Sequence, residues 1–415
     1  MEANKSGGLV WLINGDSGPD PFALDEEGVR DELGLGALGD FYAHLLFPHF
    51  TVLLTRARYF FLAAAVAERA VDESRPTIRP GDPDHPEDES ARVWGRKAVS
   101  HWHEIEVALR DRLRRRKQAG VIGTQKYPRY LKSKSMYVLS RYLPCLRRLE
   151  LVDDHRGYER YFRSWTEAGD VTWLDVSFSS ATEDARKSLK AKGPIDLELT
   201  SGERDWFKTR LRRDIDLFPA DLLKVSKDAT DAIRKKSVEE ALKTLAKEPA
   251  LRKWQFHLRA ATHAAKAVRC VTGHYRLLKL NLANHKTVAL SNIAENVKGT
   301  CRSIPFKSLR RSVSAVESTL GPRALQALDF IEKVFNKQRR DRVAMLRCIV
   351  QRENDILGFP TRRKKPSLRL TEDEAGIVRG AGWERSDLDS TDADGTVPGF
   401  RLHAGLRVMG DILDA

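Results

Sequence analysis

Several residue groups in this chain have types and spacings that chemistry can use. His101, Trp102, His103 and Glu104 place two imidazoles and a carboxylate within four positions, the raw material of a metal site. On a helix, however, side chains two apart diverge by about 200°, and neither an HExxH spacing nor a third ligand stands nearby. A solvated pair beside Trp102 fits better, and no metal or other cofactor is expected. Asp196 and Glu198, in PIDLEL, pair carboxylates as a nuclease does, but the ExK lysine that would complete such a site is missing. Gly34, Gly36 and Gly39 match GxGxxG, yet a dinucleotide loop follows an apolar strand and here EEGVRDEL precedes it. These glycines suit a helix start and the close approach of a neighbour. The chain carries no GxSxG, no Walker lysine motif, no HxK of the phospholipase-D type and no CxxC.

Arg56 and Arg58 pose a sharper question. They pierce the apolar run that follows Phe47-Pro48, and such a run accepts a guanidinium only where an anion meets it. An unpaired buried charge costs several kcal/mol. On a helix the two cannot share a face, so at least one enters the interior. Arg58 is therefore expected to be buried against Asp31, Glu32 or Asp40. The functional alternative is an anion site for phosphate or a nucleic-acid end. Asp40 and His44, four apart, can complete either arrangement.

The distribution of charge is the better functional lead. The net charge is +14, and residues 251–370 alone hold 26 Lys/Arg against 7 Asp/Glu. Residues 371–415 hold 4 against 10, and a smaller basic cluster of 13 against 4 lies at 101–150. Arg252, Arg259 and Lys266 repeat every seven residues, so with Arg269 and Arg276 they line one side of a long helix. Lys333, Lys337 and Arg340 follow at helical spacing, and Arg362, Arg363, Lys364 and Lys365 form a basic loop. Such arrays neutralise phosphates without reading bases. Local acids are too few to balance them, which favours a polyanionic partner over a merely solvated face.

The elements that must position these residues are mostly helices. Helices are expected over 28–47 and 51–72, with Pro48 stopping the first. The Pro-rich acidic stretch 74–91 reads as a loop, and a helix over 93–118 ends in DRLRRRKQAG. Residues 124–165 read as short helices that fit a winged-helix unit or a plain helical subdomain. Residues 171–200 hold the strand-like alternation, and Ser201 is expected to cap a helix over 202–213. Beyond 251 the reading is helix throughout: 251–283, with Leu251, Leu258, Ala265 and Leu280 apolar, then 307–319 and 322–357. Leu402, Leu406, Met409 and Leu413 make a last amphipathic helix. The expected architecture is mainly α, with a small mixed α/β middle region. Its parts are an N-terminal helical unit at 1–73, the loop at 74–91, a middle domain at 92–250, a basic helical domain at 251–370, and an acidic linker with terminal helix at 371–415. Four scattered cysteines suit a reducing compartment. MEANKSGGLVWLIN lacks the marks of a signal peptide, and the longest apolar run is too short to span a bilayer, so a cytoplasmic, non-membrane protein is expected.

The order RDELGLG, then D(x)6FP, then TRARYF resembles a family of uncharacterised bacterial proteins associated with phage-defence gene clusters. Members sit beside genes for helicases and phospholipase-D-like nucleases. The resemblance is sharpest over Arg30–Phe61 and returns faintly in RRKKPSLRL and FRLHAGLRVMGDIL. The segment after Trp11 is shorter than is usual there, and the family supplies no catalytic residues to transfer. With the charge pattern, the resemblance implies a non-enzymatic nucleic-acid-binding subunit of an antiviral complex, contacting the backbone, of DNA in the first instance, beside a helicase or nuclease. Two rivals stand: a divergent metal-dependent nuclease using Asp40, Asp196 and Glu198, and a structural adaptor docking an acidic protein.

Overall fold

Capping chemistry sets helix boundaries through the middle of the chain. A computed structural model describes residues 33–48, 50, 56–74, 104–105, 107–109, 111–113, 181–191, 195–297, 304–357, 365–383 and 402–413. The helix Ser201–Arg213 begins one residue earlier than expected, because Thr200 rather than Ser201 is its cap. The Thr200 hydroxyl accepts the Glu203 N–H, and the Glu203 carboxylate accepts the Thr200 N–H at 2.9 Å, a reciprocal capping box. Ser226 and Ser237 cap Lys227–Lys235 and Val238–Leu245 in the simpler way.

Among the described residues the fold is mainly helical with one small antiparallel sheet. It divides into two compact units that do not follow sequence order. Among the described residues, one comprises those of 46–224 with 404–413, and the other those of 225–403 with 33–45.

In the first unit, α2 (Tyr59–Ser74) packs on α3 (Glu183–Lys190). α4 (Ser201–Arg213), α5 (Phe218–Leu222) and α13 (Leu402–Leu413) complete its described helices. Its core is aromatic: Phe60 and Phe61 meet Phe207 edge to face, and Phe47 meets Phe218. Leu402, Leu406 and Met409 are buried as expected. Gly405 touches Phe47 so closely that a Cβ there would stand 2.4 Å from ring carbons. Residues 195–200 are non-helical, with Ile195, Leu197 and Leu199 buried, and they pair with no strand among the described residues. Their alternation is real; its partner is side chains, not a sheet.

In the second unit, α8 (Gln255–Asn284) is the axis, about 45 Å long at helical rise. Ala260, Ala261, Ala264, Ala265 and Ala267 are buried along it. α7 (Val238–Leu245), α10 (Phe306–Ser314), α11 (Gly321–Gln338) and α12 (Arg342–Leu357) all pack against it. α1 (Gly36–Leu46), α6 (Lys227–Lys235) and α9 (Leu290–Glu295) complete the helices described here, α1 ending at the unit boundary. Gly34, at φ +67°, makes the turn before α1, and a Cβ there would stand 3.2 Å from both Arg352 and Ile356.

Three features differ from the sequence reading here. The span 322–357 is two helices, broken where Asp341 accepts the Ala344 N–H at 3.0 Å and starts α12. Leu280 is exposed on α8. Strands β1 (Thr287–Ala289), β2 (Leu368–Leu370) and β3 (Gly376–Arg379) form a sheet of order β1-β3-β2, where helix, basic loop and acidic linker were expected. The sheet is anchored by Glu353, fully buried on α12. One of its oxygens accepts the Ser367 N–H at 2.7 Å and the Ser367 hydroxyl at 2.6 Å, and the other accepts the Leu368 N–H at 3.2 Å. A buried carboxylate thus replaces the missing edge partners of a short strand. The winged-helix reading at 124–165, the loop at 74–91 and the alternation at 171–180 lie outside the described residues.

Candidate nucleic-acid interface

The basic residues of the second unit are presented chiefly by α8 and by the α10–α11 pair. Along α8, Arg259, Lys266, Gly273 and Leu280 recur every seven residues and drift by about 20° per heptad. Arg269 and Arg276 lie further round the same side. Arg259 and Arg276 are exposed and Lys266 is half-buried. Arg252 is exposed too, but it sits in the 3-10 turn Pro249–Trp254 that precedes α8, not on the helix itself. Arg269 is engaged: its Nη2 lies 2.7 Å from Glu239 Oε2 on α7. It ties two helices together and is not an open phosphate contact.

Lys333 and Lys337 on α11, and Arg340 in the turn just past it, line a shallow cleft of about 590 Å³. Arg310 and Asn336 share it. Arg310 is held by Asp329 and by Glu332, the latter at 2.6 Å, which raises its already high pKa. Lys333, Lys337 and Arg340 have no carboxylate within ion-pair distance among the described residues. Lys365 is exposed at the foot of β2, its carbonyl pressed against Gly382, where a Cβ would stand 1.8 Å away. Arg362, Arg363 and Lys364 lie outside the described residues.

The fate of the local acids explains why these cations stay open. Asp329 and Glu332 both serve Arg310. Asp341 caps α12, and Glu353 is consumed by backbone N–H groups and a hydroxyl. Asp355 accepts from Gln351 at 2.9 Å. Five of the seven acidic side chains of 251–370 thus balance a single arginine between them. The sequence reading missed Arg311, exposed on α10 beside Phe256. The signal was present, since RR in FKSLRRSVS puts Arg310 and Arg311 about 100° apart on one helix.

The arginine pair is a structural device in the first unit. Neither residue is on a helix: both lie in the turn before α2. Arg58 is buried as expected, but its carboxylate is Glu203, with Nε 3.2 Å from Oε2, in place of Asp31, Glu32 or Asp40. Its Nη1 donates to the Asp196 carbonyl at 2.7 Å and its Nη2 to Ser188 Oγ at 3.3 Å. Arg56 donates to Asp411 at 3.1 Å and to the Leu197 carbonyl at 3.0 Å. With those partners in place both guanidiniums are bonded within the fold. Asp31 and Glu32 lie outside the described residues, and Asp40 is a half-buried residue of α1 in the other unit.

Asp196 and Glu198 are exposed, and Asp196 Oδ1 accepts the Glu198 N–H at 3.0 Å. Among the described residues, no three His, Cys, Asp or Glu side chains converge as metal ligands would. His101 and His103 lie outside the described residues. No described helix is long and apolar enough to cross a membrane.

Compared with known proteins, the chain matches no family model, no curated protein and no solved structure.

Proposed function

We propose that this chain is a non-enzymatic nucleic-acid-binding subunit of a bacterial antiviral defence complex, working with a helicase or a phospholipase-D-like nuclease. One observation carries the binding half of this reading. Arg252, Arg259, Arg276, Lys333, Arg340 and Lys365 are exposed with no described carboxylate in ion-pair reach, while nearby acids are spent on Arg310, helix caps and the buried Glu353. An array of open cations neutralises a phosphate backbone without selecting sequence. The defence setting and the helicase or nuclease partner rest on the resemblance of the RDELGLG to TRARYF block.

The test is the salt dependence of binding by the full chain to duplex and single-stranded probes. Affinity should fall steeply with salt. Arg252→Glu, Arg259→Glu and Arg276→Glu together should flatten the slope by about one for each phosphate that is no longer neutralised. Uniform weakening across sequences is expected. If the triple variant binds as the parent does at low salt, the basic surface serves an acidic protein and the adaptor reading takes its place.

A further inference from the structure

Phe256 stands out among the cations. It is 38% exposed, one of three large apolar side chains among the described residues left this open to water. It sits in the first turn of α8, three residues before Arg259, so the ring and that guanidinium project from the same side. Arg311 of α10 holds its guanidinium over one face of the ring, 5.8 Å from its centre, so a base would stack on the other. Just upstream, Lys253 sits 5.5 Å from the centre of the half-buried Trp254 ring. Cations and aromatic faces therefore alternate over one short stretch of surface.

The ring is held by what lies behind it. His257 meets Phe256 edge to face at 5.3 Å, and His257 Nδ1 is 3.0 Å from the hydroxyl of Ser312, which is fully buried on α10. That bond pins α10 to α8 beside the ring. Burial lowers the His257 pKa, which favours the neutral imidazole beside the ring. The charge of the patch comes from the arginines and lysine around it.

We infer that Phe256, framed by Arg259 and Arg311, is a stacking platform for an unpaired base, so that this surface takes single-stranded nucleic acid in preference to duplex. The inference rests on the nucleic-acid reading above and adds to it the form of the strand. A duplex offers phosphates to the arginines but keeps its base faces covered by stacking. Only a single strand brings a π-face to the ring together with phosphates for the flanking cations, which is the chemistry of sequence-tolerant single-strand grooves.

The experiment uses the full chain with three probes of equal length at one salt concentration: oligothymidine, an abasic strand and a duplex. The parent should bind oligothymidine about tenfold more tightly than the abasic strand, the size of one base–aromatic stack. Phe256→Ala and Phe256→Leu should both erase that difference while leaving abasic and duplex binding unchanged, and Phe256→Trp should keep it. Leucine retains apolar bulk without a π-face, which separates stacking from simple contact. Arg259→Glu should weaken all three probes. If Phe256→Ala keeps the preference, or the parent shows none, the platform is overturned while the nucleic-acid reading stands. If no probe binds, both fall together.

Discussion

Arg56 Nε lies 3.1 Å from Asp411 Oδ2, across 355 positions of chain. The same oxygen accepts the N–H of Ala57, a fully buried residue, at 3.0 Å. The turn before α2 is thus fastened to the terminal helix α13 by one carboxylate serving a guanidinium and an amide. Segments more than 350 positions apart in the chain meet at this point.

The two partners are not equivalent, and mutation should expose the difference. The guanidinium and carboxylate are each about a quarter exposed, so the ion pair itself is screened and contributes modestly. Arg56→Ala should cost about 1 kcal/mol. Asp411→Ala also strands a buried N–H and should cost about 2–3 kcal/mol. Urea denaturation of the two variants measures this. A smaller loss for Asp411→Ala than for Arg56→Ala would contradict this, since Arg56→Ala also gives up the bond to the Leu197 carbonyl.

Arg58 and Glu203 predict a pH dependence. Burial is the main influence on Glu203 and raises its pKa, with the Thr200 N–H and then Arg58 pulling it back. A carboxyl whose folded pKa lies above its unfolded one contributes stability that is complete at low pH and is lost as pH rises through the folded value. Arg58 limits that loss. Arg58→Ala should therefore destabilise by about 3–5 kcal/mol at neutral pH, with the carboxylate left buried and unpaired. The loss should be smaller at about pH 5, where Glu203 holds its proton more readily. Adding Glu203→Gln to Arg58→Ala should recover part of it. Denaturation curves at the two pH values decide the matter, and a loss independent of pH would contradict it.

What the sequence revealed follows what is local. The seven-residue repeat placed the open face of α8, and the charge count over 251–370 pointed to cations that the acids there do not balance. Both arginines of the first unit lie in a turn, so the expectation from helix faces fails. The burial of Arg58 followed from the apolar run around it, and its need of a carboxylate from the cost of an unpaired buried charge. Its partner did not, because Glu203 stands 145 positions away and only the fold brings it near. The same contact explains the misplaced strand. Residues 195–200 alternate as a strand does, but the Asp196 and Leu197 carbonyls that would bond a neighbour are taken by Arg58 and Arg56. The true strands are three or four residues long, too short for period-two alternation to register, and are held by Glu353 from α12. Thr200-Ser-Gly-Glu203 was readable as a capping box and would have set the start of α4 correctly.

Arg269 and Arg276 test which cations of α8 face a partner. They are seven residues apart on one helix, and sequence periodicity treats them alike. Arg269 is already paired with Glu239 at 2.7 Å, whereas Arg276 is exposed with no described carboxylate in reach. Mutating Arg269 alone would mislead, since it would free a negative charge beside the strand and weaken binding for that reason. Removing the pair together, as Arg269→Gln with Glu239→Gln, leaves the net charge unchanged. This double variant should keep the parent's salt slope, while Arg276→Gln should reduce the slope by about one. It should also lose some stability, because the pair ties α7 to α8, and thermal unfolding will report that separately. If the double variant flattens the slope as much as Arg276→Gln does, Arg269 leaves Glu239 for phosphate in the complex. The open face of α8 then extends around to α7.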